Sequence, residues 1–341
     1  MKIKILCTLG PASLNGAVIE ALDRAGVDVF RINLSHTPIE LVTDAISYIR
    51  RYSSVPICLD TQGPQVRCGK VKADVVLREG AEVHLTAEAV VGTDRELTLW
   101  PSAVFDALEP GARVSLDFDG AVLEVNSVRD RSATAIVSSS GEVRSNKAVT
   151  VDPAPDLPAL SPADLDAIDI GRRSRIGHYA LSFAASGGEV SELRRLAPAG
   201  AEIMAKIESR AGVRNMNSII DASDVVLIDR GDLSREIAFE YVPYYQKAII
   251  RRANRWHRPV YVATNLLESM VTSRVPTIAE ANDLATTLLD GVHGLVLAAE
   301  TAIGIDPVGS VGMVLRAVRA FERATGGDLI EEAQKAPLAT W

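Results

Sequence analysis

Two stretches of this sequence run apolar and then stop at charge: Ile203-Met-Ala-Lys-Ile-Glu208 and Val225-Val-Leu-Ile-Asp-Arg-Gly-Asp232. A parallel strand buried on both faces reads as a continuous apolar run, so Lys206, Glu208 and Asp232 stand where two strands leave a core. Carboxylates are hard oxygen ligands suited to Mg²⁺ or Mn²⁺ that also keeps waters and substrate oxygens. A lysine beside them neutralises a phosphoryl group. The competing reading is a structural ion pair at a barrel rim, because such networks also gather charge.

Other strand ends carry a matching set of side chains. Thr8 and Ser13 follow the first apolar run, and Arg31, Asn33, Ser35 and His36 the second. Asp60, Thr61, Gln62 and Arg67 follow the third; Asp229, Arg230, Thr264, Asn265, Glu300 and Thr301 close later ones. Arg31, Arg67 and Lys206 offer positive charge for phosphate, the arginines with fork geometry. Asn33, Ser35, Asp60 and Thr61 offer oxygens for a monovalent cation, or a rim hydrogen-bond network. Thr264 is a hydroxyl beside the metal residues, a proton-relay group or a satisfied threonine. Together these types point to phosphoryl transfer or enolate chemistry on a small anionic substrate.

The elements that position them alternate. Apolar runs occur at Ile3–Leu9, Val27–Leu34, Val55–Asp60, Ile176–Phe183, Glu202–Ile207, Val225–Ile228, Pro259–Thr264 and Gly294–Ala299. Amphipathic helix-length segments lie between them, at Leu14–Ala25, Glu40–Arg51, Val190–Leu196, Gly212–Ile220, Tyr244–Trp256 and Ile278–Leu289, with Val308–Glu322 last. Eight β-then-α units in about 250 residues are the arithmetic of a (β/α)₈ TIM barrel, an α/β fold whose chemistry sits at the strand C-termini. A doubly wound sheet also alternates, but its glycine-rich first turn is missing from Thr8-Leu-Gly-Pro-Ala-Ser13. From Cys68 to Asp152 short alternating segments replace helices: Ala81–Thr86, Glu96–Trp100, Arg113–Phe118, Ala121–Val125 and Ala133–Ser138. Turn dipeptides such as Pro110-Gly111 and Asp119-Gly120 separate them. This predicts a barrel from 1–67 and 153–325, a small all-β domain at 68–152 inserted after strand 3, and a tail at 326–341. The chain re-enters the barrel where Ser161 caps a helix with Pro162 at its first position. A domain inserted at the catalytic rim is placed to act as a lid.

Composition narrows the function classes. The 341 residues are 47% hydrophobic and 23% charged with a formal net charge of −8, ordinary for a globular protein. No basic run resembles a nucleic-acid patch. No apolar stretch reaches the roughly 18 residues of a membrane span. The amino terminus enters a strand at once, leaving no room for a signal peptide, so the expectation is a cytoplasmic protein. The three cysteines lack metal-ligand spacing; Cys7 and Cys58 lie in apolar strands and read as buried free thiols.

At this point the residues resemble the pyruvate kinase family. The likeness runs through Lys4–Ser13, Arg31-Ile-Asn-Leu-Ser-His36, Leu59–Arg67, Asp156–Ser161 and Ala180-Leu-Ser-Phe183. It continues through Lys206-Ile-Glu208, Arg230-Gly-Asp-Leu233, Ala263–Met270 and Glu300-Thr-Ala302. The resemblance implies a barrel with a mobile lid, and the glycolytic transfer of a phosphoryl group from phosphoenolpyruvate to ADP with Mg²⁺ and usually K⁺. By position, Arg31 would hold the phosphate, Lys206 the transferring group, and Glu208 and Asp232 the Mg²⁺. Asn33, Ser35, Asp60 and Thr61 would form the K⁺ site; Arg67, His36 and Asn33 would lie near the nucleotide. Gly231 and Asp229 would line the substrate pocket, and Thr264 and Glu300 the enolate proton relay. The family also pairs barrels across a face this chain keeps, implying a homodimer.

Four departures qualify the resemblance. The family's D-T-K-G-P-E-I-R becomes Asp60-Thr-Gln-Gly-Pro-Gln-Val-Arg67, so Gln62 replaces a lysine and Gln65 an acid associated with K⁺ dependence. A-R-G-D-L-G becomes Asp229-Arg-Gly-Asp-Leu-Ser234, putting a third carboxylate beside the first two, where it repels an anionic substrate unless a metal or a cationic group offsets it. S-G-E-T becomes Ala298-Ala-Glu-Thr301, removing a hydroxyl from the relay. The sequence ends at Trp341, and the expectation is that the family's C-terminal regulatory domain and its sugar-phosphate site are absent. The leading expectation is a pyruvate-kinase-like phosphotransferase. The alternative is a metal-dependent 2-oxo acid lyase, an aldolase or decarboxylase using the same enolate-stabilising site without nucleotide. A non-catalytic protein on a decayed enzyme scaffold ranks last.

Overall fold

The structure is a computed structural model that describes residues 2–117 and 120–326. The predicted tail at 326–341 therefore lies outside the described residues, except for Gly326, which ends the last helix. The chain divides into two compact units, one of Met1–Gly63 with the chain from Ala159 onward, the other Pro64–Pro158.

In the first unit eight parallel strands close into a barrel: Lys4–Thr8, Val29–Asn33, Ile57–Asp60, His178–Leu181, Glu202–Ile207, Val225–Asp229, Val260–Ala263 and Gly294–Leu297. Each pairs in parallel with the next, and the first closes on the last through Lys4–Gly294 to Cys7–Leu297. The central residues of these strands are buried on both faces, so the apolar runs read as strands even without alternation. One face packs against the helices through Ile5, Phe30, Ile203, Ile228 and Leu295; the other fills the barrel with Leu6, Met204, Leu227, Tyr261 and Val296. This is the layered, filled interior of a TIM barrel, not a pore.

Several of the outer helices begin on side-chain caps. Asn15 caps Gly16–Ala25, Ser186 caps Gly187–Leu196, and Thr277 forms a capping box with Glu280 ahead of Ile278–Leu289. The predicted helix at Gly212–Ile220 is instead two short helices, Arg210–Arg214 and Met216–Ala222, meeting at Asn215. Ser161 caps Pro162–Arg173 with Asp164 completing the box. The buried Asp164 carboxylate also accepts the backbone N–H groups of Gln62, at 2.6 Å, and Gly63, at 3.0 Å. The residues on either side of the insertion are thereby tied together within the barrel unit.

The second unit is all-β, with seven strands in a closed barrel and a two-stranded ribbon of Val75–Leu77 with Gly141–Val143. It is wider than the sequence indicates, 64–158 rather than 68–152. Val66–Cys68 pairs with Ala148–Asp152 and Glu96–Trp100 inside its sheet, so Arg67 belongs to this unit rather than to the third barrel strand. The three-residue strands elude a sequence pattern because they are shorter than any alternation it can register. Among the described residues no helix is long and apolar enough to cross a membrane.

Candidate active site at the barrel rim

Lys206 is the hub. Its side chain is buried, and its Nζ lies 3.1 Å from Glu208 Oε2 and 3.6 Å from both Asp60 Oδ2 and Asp229 Oδ2. It donates a hydrogen bond to Ser182 Oγ at 3.1 Å. Burial pulls the ammonium pKa down, but Asp60, Glu208 and Asp229 more than offset this and hold it above the ordinary lysine value. A lysine so held stays protonated, which suits it to neutralising charge rather than to acting as a nucleophile.

Arg31 is fixed beside it. Both Nε and Nη2 donate to Asp60 Oδ2, Nε at 2.7 Å, while Nη1 donates to Thr8 Oγ1 at 2.9 Å. Burial opposes the guanidinium charge and the Asp60 and Asp229 carboxylates restore it, so Arg31 also remains cationic. Two strands thus present two buried cations at one rim, Arg31 held by Asp60 on the adjacent strand and Lys206 by Glu208 just past its own strand with Asp60 and Asp229.

Glu208 continues the fifth strand. Its Oε1 accepts the Phe183 N–H at 2.7 Å, and Phe183 sits at φ 53°. Its Oε2 is buried and meets no donor in hydrogen-bond geometry, despite Lys206 Nζ nearby. Burial pushes this carboxyl well above the usual range, Lys206 opposes the shift, and Asp229, Asp232 and Asp60 add to it. Asp229 goes the other way: burial raises it, but Lys206, Arg31 and a hydrogen bond from Thr264 outweigh that and hold it low. One carboxylate oxygen each from Glu208, Asp229 and Asp232 lies within 4.8 Å of the others. Three hard oxygens and a buried oxygen lacking a donor fit a divalent cation. Asp232 also lies 3.3 Å from Arg235, one turn along its own helix.

Thr264 is strained. It lies at φ 65° and Asn265 follows at φ 54°, a left-handed pair that costs a β-branched residue on the order of 1–3 kcal/mol. The conformation points Oγ1 at Asp229 Oδ1, 3.0 Å away, where it also accepts the Gly231 N–H at 2.8 Å. Arg230 braces the same turn through the Thr264 carbonyl and Asp283. Glu300 is buried with both oxygens engaged by backbone N–H groups, Leu267 at 3.1 Å and Ala298 at 2.9 Å, so it holds the turn after Thr264 in place.

The remaining predicted residues scatter more widely. Asn33 stands opposite Asp60 in the sheet register, its Oδ1 accepting the Ser35 N–H at 2.9 Å. Thr61 is buried and its Oγ1 accepts the Ser182 N–H at 2.9 Å. His36 is exposed at the same rim. Gln65 and Arg67 hydrogen-bond each other within the inserted unit, where Arg67 also donates to the Asn146 carbonyl at 2.9 Å. Sequence reasoning missed Ser182 as a site residue. Its Oγ receives the Lys206 hydrogen bond and donates to the Thr61 carbonyl at 2.6 Å, joining strands 3, 4 and 5. The signal is a serine closing an apolar run at the one strand end that supplies no other candidate.

The closed barrel gathers acids, a buried lysine and an arginine at its C-terminal rim, the face where barrels of this kind carry their chemistry. The family model described as pyruvate kinase, barrel domain, matches residues 1–311. The pyruvate kinase of Methylorubrum extorquens is 37% identical over 94% of this chain and 69% of its own length. That of Geobacillus stearothermophilus is 35% identical over 99% of this chain and 60% of its own, and plastidial pyruvate kinase 3 of Arabidopsis thaliana 33% over 92% and 57%. This chain belongs to the pyruvate kinase family. It spans only 57–69% of the length of these three relatives, and none of them lends support to the lyase alternative.

Proposed function

We propose that this protein is a phosphotransferase that moves a phosphoryl group between phosphoenolpyruvate, or a related enol phosphate, and ADP. The observation that carries the reading is Lys206 buried among Asp60, Glu208 and Asp229, with Arg31 fixed alongside. In phosphoryl transfer the protein contributes mainly position and charge, and this rim supplies both.

Arg31 binds the phosphoryl oxygens and Lys206 neutralises charge as the phosphorus leaves the enol oxygen for the terminal oxygen of ADP. The enolate carbon then takes up a proton on the side where Thr264 holds its hydroxyl, with Glu300 fixing the turn behind it. Gly231 presents its backbone to the same pocket through the Thr264 contact. Glu208 and Asp232 would hold Mg²⁺ or Mn²⁺, which when bound supplies charge stabilisation at substrate oxygens. The same reading assigns K⁺ to Asn33, Ser35, Asp60 and Thr61, and nucleotide contacts to His36 and Asn33. Its support for K⁺ is narrower: Asn33 and Asp60 are cross-strand neighbours.

The test is a coupled assay of pyruvate and ATP formation from phosphoenolpyruvate and ADP by the purified protein. The expected result is turnover that depends on Mg²⁺ or Mn²⁺. No ATP at any level of Mg²⁺, Mn²⁺ or K⁺ would remove the proposal in this form. Calorimetry with ADP and ATP separates it from a nucleotide-free lyase, which has no need to bind either.

A further inference from the structure

Asp229 has no assigned work in the transfer itself, yet it is buried in the centre of the rim. We propose that Asp229 is a third carboxylate ligand, beside Glu208 and Asp232, for the divalent cation. This rests on the cation site proposed above and adds a residue to it.

Three observations carry the inference. The three carboxylates offer oxygens within 4.8 Å of one another. Around a small octahedral cation, oxygens at about 2.1 Å from the metal stand roughly 3–4 Å apart, so modest rotamer adjustment closes the set. Glu208 is fully buried with Oε1 fixed by Phe183, while Oε2 is ion-paired with Lys206 at 3.1 Å but receives no hydrogen bond, which leaves it able to ligate. Asp229 is oriented to join it, since Thr264 holds Oδ1, and Oδ2 faces Lys206 at 3.6 Å, too long for a hydrogen bond.

The rival role for Asp229 is as an anchor for Lys206. The distances speak against it, because Lys206 makes its hydrogen bond to Ser182 at 3.1 Å and lies nearer Glu208 than Asp229. A third anionic ligand strengthens cation binding by charge count, and it does so without waiting for substrate oxygens to complete the shell. Neutralising Asp229 with the cation also removes the repulsion that a lone third carboxylate imposes on an anionic substrate.

The experiment is a titration of the substrate-free full chain with Mn²⁺, reading free Mn²⁺ by electron paramagnetic resonance. Wild type should bind one Mn²⁺ per chain without phosphoenolpyruvate or nucleotide. Asp229→Asn should weaken that binding roughly tenfold or more while its circular dichroism stays native. Asp229→Ser, which leaves room for water in place of the carboxylate, gives a second reading should the asparagine variant fold poorly. Wild type that takes up no Mn²⁺ without substrate overturns the proposal, as do Asn and Ser variants that both keep wild-type affinity within about twofold. In that last case a wild type that still binds Mn²⁺ leaves the proposed phosphotransferase to its own assay, so the two failures are distinguishable.

Discussion

The two ends of the barrel gather charge in opposite ways. At the N-terminal end Asp28 pairs with Lys2 at 2.7 Å and Lys4 at 3.0 Å and accepts the Ile5 N–H at 2.9 Å. Asp224 likewise takes the Ile203 N–H at 2.8 Å and pairs with Arg194 at 2.9 Å, and Glu202 lies 3.1 Å from His178. There each acid has its own partner, and the basic partners reach into solvent. At the C-terminal rim Asp60, Glu208 and Asp229 crowd around one buried lysine, and Glu208 keeps an oxygen without a donor. Burying charges costs free energy unless the geometry satisfies them, so folding alone favours the first arrangement. The second is the arrangement that the proposed cation and substrate would complete.

Substitutions at the two ends should therefore have different signatures. The largest effect is expected for Lys206→Gln, with phosphoryl transfer falling about 10²–10³-fold and the fold retained, measured by the coupled assay beside circular dichroism. A loss under about tenfold would make Lys206 a structural partner like those at the opposite end. Removing divalent cations with EDTA should abolish turnover and added Mg²⁺ restore it. Glu208→Gln should shift the Mg²⁺ requirement upward by roughly tenfold or more. Replacement of Thr264 by glycine sharpens the contrast further. It relieves the positive φ of the native residue and raises the melting temperature relative to Thr264→Ala, whereas both variants lose the hydroxyl and about tenfold or more in kcat.

The smallest effect belongs to the opposite end. Asp28→Asn should cost about 1 kcal/mol of stability at neutral pH, read by thermal melts, and leave activity alone. Burial raises the Asp28 carboxyl, but Lys2, the Ile5 amide and Lys4 outweigh it and hold it below the ordinary value of 3.8. A carboxyl depressed in the folded state contributes stability above its unfolded pKa and loses it as pH falls through the folded one. Melting curves of wild type and Asp28→Asn should therefore diverge at neutral pH and converge below about pH 3. A constant difference down to that pH would show that the ion pairs at this end contribute nothing.

What the sequence shows of the barrel follows from the physics of its strands. Most residues of the eight strands are buried and apolar, with interruptions such as Lys4, Arg31 and Asn33, and each run ends within a residue or two of where the strand ends. Lys206, Glu208, Asp229 and Arg31 are legible because charge at the end of such a run is rare unless something holds it. The inserted unit is less legible: Val66–Cys68, Val75–Leu77 and Gly141–Val143 are three residues each, defined by partners far along the chain. Ser182 is hidden for a different reason. A serine at a strand end is unremarkable until Lys206, on the adjacent strand, is seen to reach it. The left-handed turn at Thr264 and Asn265 has no local cause either, since neither is a glycine; contacts to Asp229, Gly231 and Arg230 impose it.

The central claim, that this rim transfers a phosphoryl group, is tested most directly by ³¹P nuclear magnetic resonance of the full chain with phosphoenolpyruvate, ADP and Mg²⁺. The account predicts that the phosphoenolpyruvate resonance decays as a γ-phosphate resonance of ATP grows, and that Lys206→Gln slows this by about 10²–10³-fold. Phosphoenolpyruvate that stays intact, or that yields inorganic phosphate without any γ-phosphate signal, would contradict it.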